Sequence, residues 1–146
     1  MSEHVAPKSL VVQKYGGSSL ATTEQIKAVA ARISDLHQAG HQLIIVVSAM
    51  GKTTDQLVAM AYDVSARPNR RELDMLLTTG ERISMAMMSL ALNERGVPAI
   101  SFTGSQSGVL TDDLHSNARI VDIKPIRVEA ELGRHHVVVL AGFARE

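Results

Sequence analysis

The sequence predicts an α/β fold, a three-layer sandwich of helices around a mostly parallel sheet. Three observations point there. Short apolar runs alternate with segments of helical period, the order that builds a parallel sheet with crossover helices. Two of those runs, residues 43–47 (LIIVV) and 137–140 (VVVL), are apolar without alternation, so both of their faces need cover. The first run ends on Lys14-Tyr15-Gly16-Gly17-Ser18-Ser19, and a helical pattern begins a few residues later.

Each element follows from its residues. Residues 1–9 read as a polar, flexible tail. Residues 10–13 form a short strand, expected to be buried on both faces. Thr22 is placed to cap a helix with Gln25 at the capping-box position. Ile26, Val29, Ala30 and Ile33 carry its apolar stripe, and Gly40 ends it. Residues 43–47 are the strongest strand and are expected at the sheet's centre. Residues 48–55 loop into a second helix carried by Leu57, Val58, Ala61 and Tyr62, which Arg67-Pro68 breaks. Asn69 caps a third helix, with Glu72 three residues on. Thr78-Thr79-Gly80 is expected to interrupt that helix. Residues 83–92, apolar nearly all round, are then expected to form a buried helix ended by Gly96 and Pro98. Residues 99–102 are a third strand and residues 103–113 a loop or hairpin. A short edge strand over 118–121, a short helix over 127–132 and a last buried strand over 137–140 complete the order. No internal repeat or linker marks a second domain.

Composition removes several functions. Fifteen basic residues balance fifteen acidic ones, which gives no footprint for nucleic acid or an anionic membrane surface. Two Tyr, two Phe and no Trp leave no base-stacking platform. The absence of cysteine excludes disulfides and thiolate metal sites. The first residues are polar, with no apolar core behind a basic start, and no apolar run approaches the roughly 20 residues that span a bilayer. A cytoplasmic, soluble protein is expected.

The chemistry concentrates at strand ends. In parallel sheets ligands sit beyond the carboxyl ends of the strands. Three of the four main strands end in Lys14-Tyr15-Gly16-Gly17, Ser48-Ala49-Met50-Gly51 and Ala141-Gly142-Phe143. Glycine amides free of Cβ atoms, a lysine charge and a following helix start suit a phosphate, although an ordinary strand-to-helix turn uses the same residues. Gly51-Lys52-Thr53 resembles the end of a P-loop, but the first glycine of that pattern is replaced by Val46, inside a strand. Glu81-Arg82 sits at an expected helix start. Its carboxylate serves either the helix dipole or a substrate ammonium group. His135 and His136 are adjacent and are expected to point to opposite faces, so they do not share an ion. His115 lies in a polar loop, Asp112-Asp113 reads as a turn, and Met85, Met87 and Met88 read as core. Ser18, Ser19 and Ser48 lack the partners of a hydrolytic nucleophile.

Together these motifs resemble the aspartate kinases. Lys14-Tyr15-Gly16-Gly17-Ser18-Ser19 is similar to that family's lysine-aromatic-Gly-Gly-Thr/Ser-Ser signature. Val47-Ser48-Ala49-Met50-Gly51 with Thr53-Thr54-Asp55 is similar to its second signature, and residues 76–84 (LLTTGERIS) to its third. Residues 101–108 (SFTGSQSG) and Asn117-Ala118-Arg119-Ile120 are closest to the actinobacterial type.

The resemblance implies the amino-acid-kinase fold and transfer of the ATP γ-phosphate to the side-chain carboxylate of L-aspartate. It implies Mg2+ held mainly by the nucleotide phosphates. Lys14 is implied as the catalytic group, with Lys14, Tyr15, Gly16, Gly17 and Ser48 on the nucleotide and phosphate side. Thr53, Thr54, Asp55 and Glu81 fall on the amino-acid side, Glu81 pairing the substrate ammonium. Residues 10–146 correspond to the amino-terminal half of the kinase domain, an incomplete sandwich without a regulatory ACT domain. A second polypeptide or a homo-oligomer is then expected to cover an open sheet edge. The alternative is a non-catalytic binding or interaction module that keeps the half-fold.

Overall fold

The computed structural model describes residues 8–111 and 120–142. The expectations for the first seven residues, Asp112-Asp113, His115, Asn117-Ala118-Arg119 and residues 143–146 lie outside them.

Ten elements follow in order: β1 (Leu10–Tyr15), α1 (Thr23–Gln38), β2 (Gln42–Val47), α2 (Thr53–Val64), α3 (Arg70–Glu94), β3 (Ala99–Phe102), β4 (Val109–Thr111), β5 (Ile120–Ile123), α4 (Ile126–Gly133) and β6 (Val137–Ala141). A 3-10 turn, Gly17–Leu20, joins β1 to α1. The main sheet is wholly parallel in the order β1-β2-β6-β3, and β4 and β5 form a separate antiparallel hairpin. The two central strands are the two unbroken apolar runs, as their composition requires.

The core lies on both faces of that sheet. Leu43, Ile45 and Val47 of β2 and Val137, Val139 and Ala141 of β6 meet Ile26, Val29 and Ile33 of α1 and Met85, Met88 and Leu92 of α3. The alternate residue Val138 faces the other way, joining Phe102 of β3 and Val128 and Leu132 of α4. Helices on both faces make the three layers, and α2 packs on α3.

Local rules set the helix ends. The Thr22 hydroxyl accepts from the Gln25 amide at 3.2 Å, and the Gln25 side-chain oxygen accepts from the Thr22 amide at 3.2 Å, which closes the capping box. Gly40, at φ +98°, ends α1 with its amide on the His37 carbonyl and the His41 amide on the Leu36 carbonyl. The same pair of bonds ends α4, with His135 at φ +59° in the place of glycine. Its ring stacks on His37 at 4.0 Å, and each ring nitrogen Nε2 donates to the other residue's carbonyl, at 2.8 and 3.2 Å. His136 leaves in another direction, its Nδ1 2.6 Å from Glu131 Oε2.

Four expectations are corrected. β1 runs on to Tyr15 and is an edge strand, with Leu10 53% and Val12 60% exposed, rather than buried on both faces. It pairs on one side only, and just one of its faces, that of Val11 and Tyr15, packs against the core, which leaves the face of Leu10, Val12 and Lys14 open. α2 stops at Val64, where Ser65 turns extended, before Arg67-Pro68 is reached. Thr78-Thr79-Gly80 does not interrupt α3, which is one helix of 25 residues. The threonine hydroxyls donate back to the Met75 and Leu76 carbonyls at 2.8 and 2.6 Å, so they do not compete for the helix backbone. Residues 83–92 are buried along one side only, since Ile83 is 53% and Leu90 64% exposed.

Candidate active site

The three suggestive strand ends are neighbours. Tyr15, Val47 and Ala141 stand level in adjacent parallel strands β1, β2 and β6. The ladder continues past them, with the Ser48 amide on the Tyr15 carbonyl at 3.1 Å and the Gly142 amide on the Val47 carbonyl at 2.9 Å. The three loops therefore leave the sheet side by side.

Alternation along β1 separates its last two residues. Lys14 is exposed on the face away from α1, while Tyr15 packs partly buried against the core beneath α1 and α3. The Tyr15 hydroxyl donates to Gln13 Oε1 at 2.9 Å, on the same face of the strand. The Lys14 stem crosses Gly142, where a Cβ would lie 3.8 Å from Lys14 Cε. Sequence reasoning noted Gly142 as a strand end but missed this contact. A glycine directly after a buried strand is its signal.

The two glycines of the first loop do different things, both through the absent Cβ and neither through a positive φ. Gly16 is extended (φ −77°, ψ 168°), and a Cβ there meets nothing within 4 Å. Its missing side chain opens space above the turn rather than enabling a bend. Gly17 lies against the second loop, where a Cβ would stand 2.8 Å from the Ala49 carbonyl oxygen and 2.9 Å from that of Gly51. The Gly51 amide donates to the Gly17 carbonyl at 2.9 Å and locks the two loops together.

The amino-acid side is built from α2 and α3. Thr53 begins α2, its hydroxyl donating to the Met50 carbonyl at 2.6 Å. Thr54 and Asp55 follow, exposed in the first turn, where the carboxylate suits the helix dipole. Glu81 is not at a helix start. It sits half-buried in mid-helix, after a buried Gly80. A Cβ on Gly80 would lie 3.2 Å from Ala49 Cβ and from Thr53 Cγ2, and 3.4 Å from Leu57 Cδ1. Gly80 thus lets α3 press against the second loop and the head of α2. Ser48 and Glu81 each adjoin a residue of that contact in sequence, and Thr53 is part of it.

A shallow cavity of about 500 Å³ is lined by Ser105, Gln106, Gly108, Lys124, Ile126 and Arg127. None of the predicted site residues lines it. Among the described residues no group of three His, Cys, Asp or Glu is arranged to hold a metal ion.

The fold is a parallel α/β sheet with an exposed lysine and an open glycine turn at the end of its first strand. The family follows from comparison: residues 9–146 match the amino acid kinase family, and the chain belongs to it. It is 52% identical to the aspartokinase of Mycolicibacterium smegmatis over 135 residues, covering 92% of this chain and 32% of that protein. It is 53% identical to that of Corynebacterium glutamicum, with the same coverage. The chain thus spans about a third of the length of the curated relatives it matches. The crystal structure of aspartate kinase from Synechocystis superposes with a TM-score of 0.79 at 49% identity, over 91% of this chain and 22% of that one. E. coli aspartokinase III in complex with aspartate and ADP shares the fold, with a TM-score of 0.76 at 18% identity, over 93% of this chain and 41% of that one. No helix among the described residues is long and apolar enough to cross a membrane.

Proposed function

We propose that residues 10–146 are the amino-terminal half of a cytoplasmic aspartate kinase domain, which phosphorylates the side-chain carboxylate of L-aspartate from ATP. The observation that supports this reading is the junction at Gly80, where α3, one residue before the half-buried Glu81, packs on Ala49 of the loop after Ser48 and on Thr53. Relatives at about half identity are aspartokinases, which supports the choice of amino acid.

The attacking carboxylate is ionised at neutral pH, with a reference pKa near 3.9, so the reaction needs no general base. A carboxylate oxygen forms a bond to the γ-phosphorus as the bridging P–O bond to ADP breaks, leaving an acyl phosphate and ADP. The barrier comes from bringing one anion to another, and catalysis rests on position and charge. Lys14 neutralises the charge on the transferring group. The Gly16 and Gly17 amides face phosphate oxygens, and the open space at Gly16 admits them. Ser48 borders the nucleotide, Thr53, Thr54 and Asp55 border the amino acid, and Glu81 pairs its ammonium. Mg2+, which lowers the charge of the nucleotide when bound, is held by the phosphates. The later half of the domain covers the open face of β1 and completes the site.

The test has two arms. The full chain is titrated with ATP by calorimetry, and acyl phosphate is trapped as the hydroxamate with and without aspartate. Nucleotide binding that Lys14→Ala weakens at least tenfold supports the site, and aspartate-dependent hydroxamate supports the reaction. Binding indifferent to Lys14→Ala refutes the placement of the phosphates. Binding without hydroxamate, even with the later half of an aspartokinase supplied in trans, favours the non-catalytic module.

A further inference from the structure

An open sheet ends in two edge strands, and each presents a row of unpaired backbone N–H and C=O groups on which a further strand can form. Here the edges are β1 and β3. In a parallel ladder alternate residues bond the neighbouring strand, and those between them turn their backbone groups the other way. The Gln42 amide donates to the Ser9 carbonyl at 3.0 Å and the Ser48 amide to the Tyr15 carbonyl at 3.1 Å, so Leu10, Val12 and Lys14 are the outward residues of β1. At the other edge the Val137 amide donates to the Pro98 carbonyl at 2.8 Å. Pro98, Ile100 and Phe102 therefore bond β6, and Ala99, Ser101 and Thr103 turn outward.

The two rows differ in what meets them. Among the described residues no side chain bonds the outward backbone groups of Leu10, Val12 or Lys14. On β3, Asn93 in the last turn of α3 lays its amide along Ala99. Asn93 Oδ1 accepts from the Ala99 amide at 2.9 Å, and Asn93 Nδ2 donates to the Ala99 carbonyl at 3.4 Å. One side-chain amide thus makes both bonds that a neighbouring strand would make. Two outward positions on, Gln106 Oε1 accepts from the Thr103 amide at 3.0 Å. A strand docking on β3 needs successive outward positions, and each successive pair here, Ala99 with Ser101 or Ser101 with Thr103, includes one already bonded. The edge needs this protection, since residues 99–102 (AISF) are uncharged, free of proline and rich in strand formers.

We infer that Asn93, seconded by Gln106, closes the β3 edge to strand addition, so that the sheet ends at β3 and accepts an extended segment at β1 alone. The partner kept out is an extended strand of another chain, in the first place β3 of a second copy. The closure is made by side chains rather than by a bulge or a covering helix, so one substitution opens it.

Amide hydrogen exchange on the full chain, read residue by residue, tests this. Asn93→Ala should speed exchange of the Ala99 amide by roughly tenfold, while the Val137 amide, bonded inside the sheet, keeps its wild-type rate. Asn93→Asp keeps the acceptor and loses the donor, so Ala99 should stay protected. Light scattering at a fixed concentration reads the consequence. The Asn93→Ala/Gln106→Ala chain should assemble several-fold faster than wild type, with an unchanged far-UV spectrum. Adding Ala99→Pro should return that rate to the wild-type value, because proline presents no N–H at the outward position. An Ala99 amide indifferent to Asn93→Ala would overturn the assignment, as would assembly no faster than wild type or assembly that Ala99→Pro leaves fast. Equal acceleration at Ala99 and Val137 would overturn it too, since Asn93 would then support the sheet as a whole rather than close its edge.

Discussion

Replacing Gly80 by alanine separates helix propensity from packing at the junction that builds the site. In an exposed helix the change stabilises by about 1 kcal/mol. Here the new methyl meets Ala49 Cβ and Thr53 Cγ2 at 3.2 Å and Leu57 Cδ1 at 3.4 Å. Carbon atoms at optimal separation stand about 3.5–4.0 Å apart, and overpacking of this kind costs about 1–3 kcal/mol. The expected sum is a loss of about 1 kcal/mol. Thr53→Ser removes the Cγ2 atom and keeps the hydroxyl that donates to the Met50 carbonyl. The double variant should therefore recover about 0.5–2 kcal/mol relative to the sum of the single changes. Urea unfolding of the four proteins, followed by far-UV circular dichroism at constant m, measures the cycle. A Gly80→Ala chain more stable than wild type, or single effects that add within about 0.3 kcal/mol, would refute the steric account.

Four further substitutions probe the same logic. Gly16→Ala should leave stability within about 0.5 kcal/mol, because nothing lies within 4 Å of the new methyl, yet weaken ATP binding. Gly17→Ala, which drives a methyl into two backbone carbonyls, should destabilise by more than about 1 kcal/mol in the same urea titration. Thr22→Ala should cost about 1 kcal/mol by removing half of the capping box, read as a lower thermal midpoint. Ser84→Ala should be neutral or stabilising by up to about 1 kcal/mol, because Ser84 is 1% exposed and its buried hydroxyl finds no hydrogen-bond partner among the described residues.

The order of elements was legible because it rests on short-range signals. Thr22 with Gln25 and the run over 43–47 state their roles within a few residues. β1 was misjudged because the composition of Leu10-Val11-Val12 reports an apolar strand without saying which neighbours reach it. Gly80 was misjudged for a related reason. Locally it reads as a break, and only the approach of Ala49 and Thr53, some thirty residues earlier in the chain, explains a glycine inside a helix. The candidate site was legible as motifs and strand ends. The division of labour between Gly16 and Gly17, the turn of Tyr15 toward the core and the Lys14 contact with Gly142 were not, since each depends on residues distant in sequence.

The strand order carries a consequence for how the molecule is born. β6, the last strand in sequence, lies between β2 and β3. Until it arrives, β3 has no neighbour in the sheet, and β2 exposes one edge of its hydrogen-bonding groups. On a ribosome adding about 5–20 residues per second, β3 ends and β6 ends are separated by about 2–8 s. During that interval the nascent chain holds a β1-β2 pair under α1 with its strongest strand edge unsatisfied. That is the window in which a chaperone, or a stray strand from a neighbouring chain, has its best access to β2.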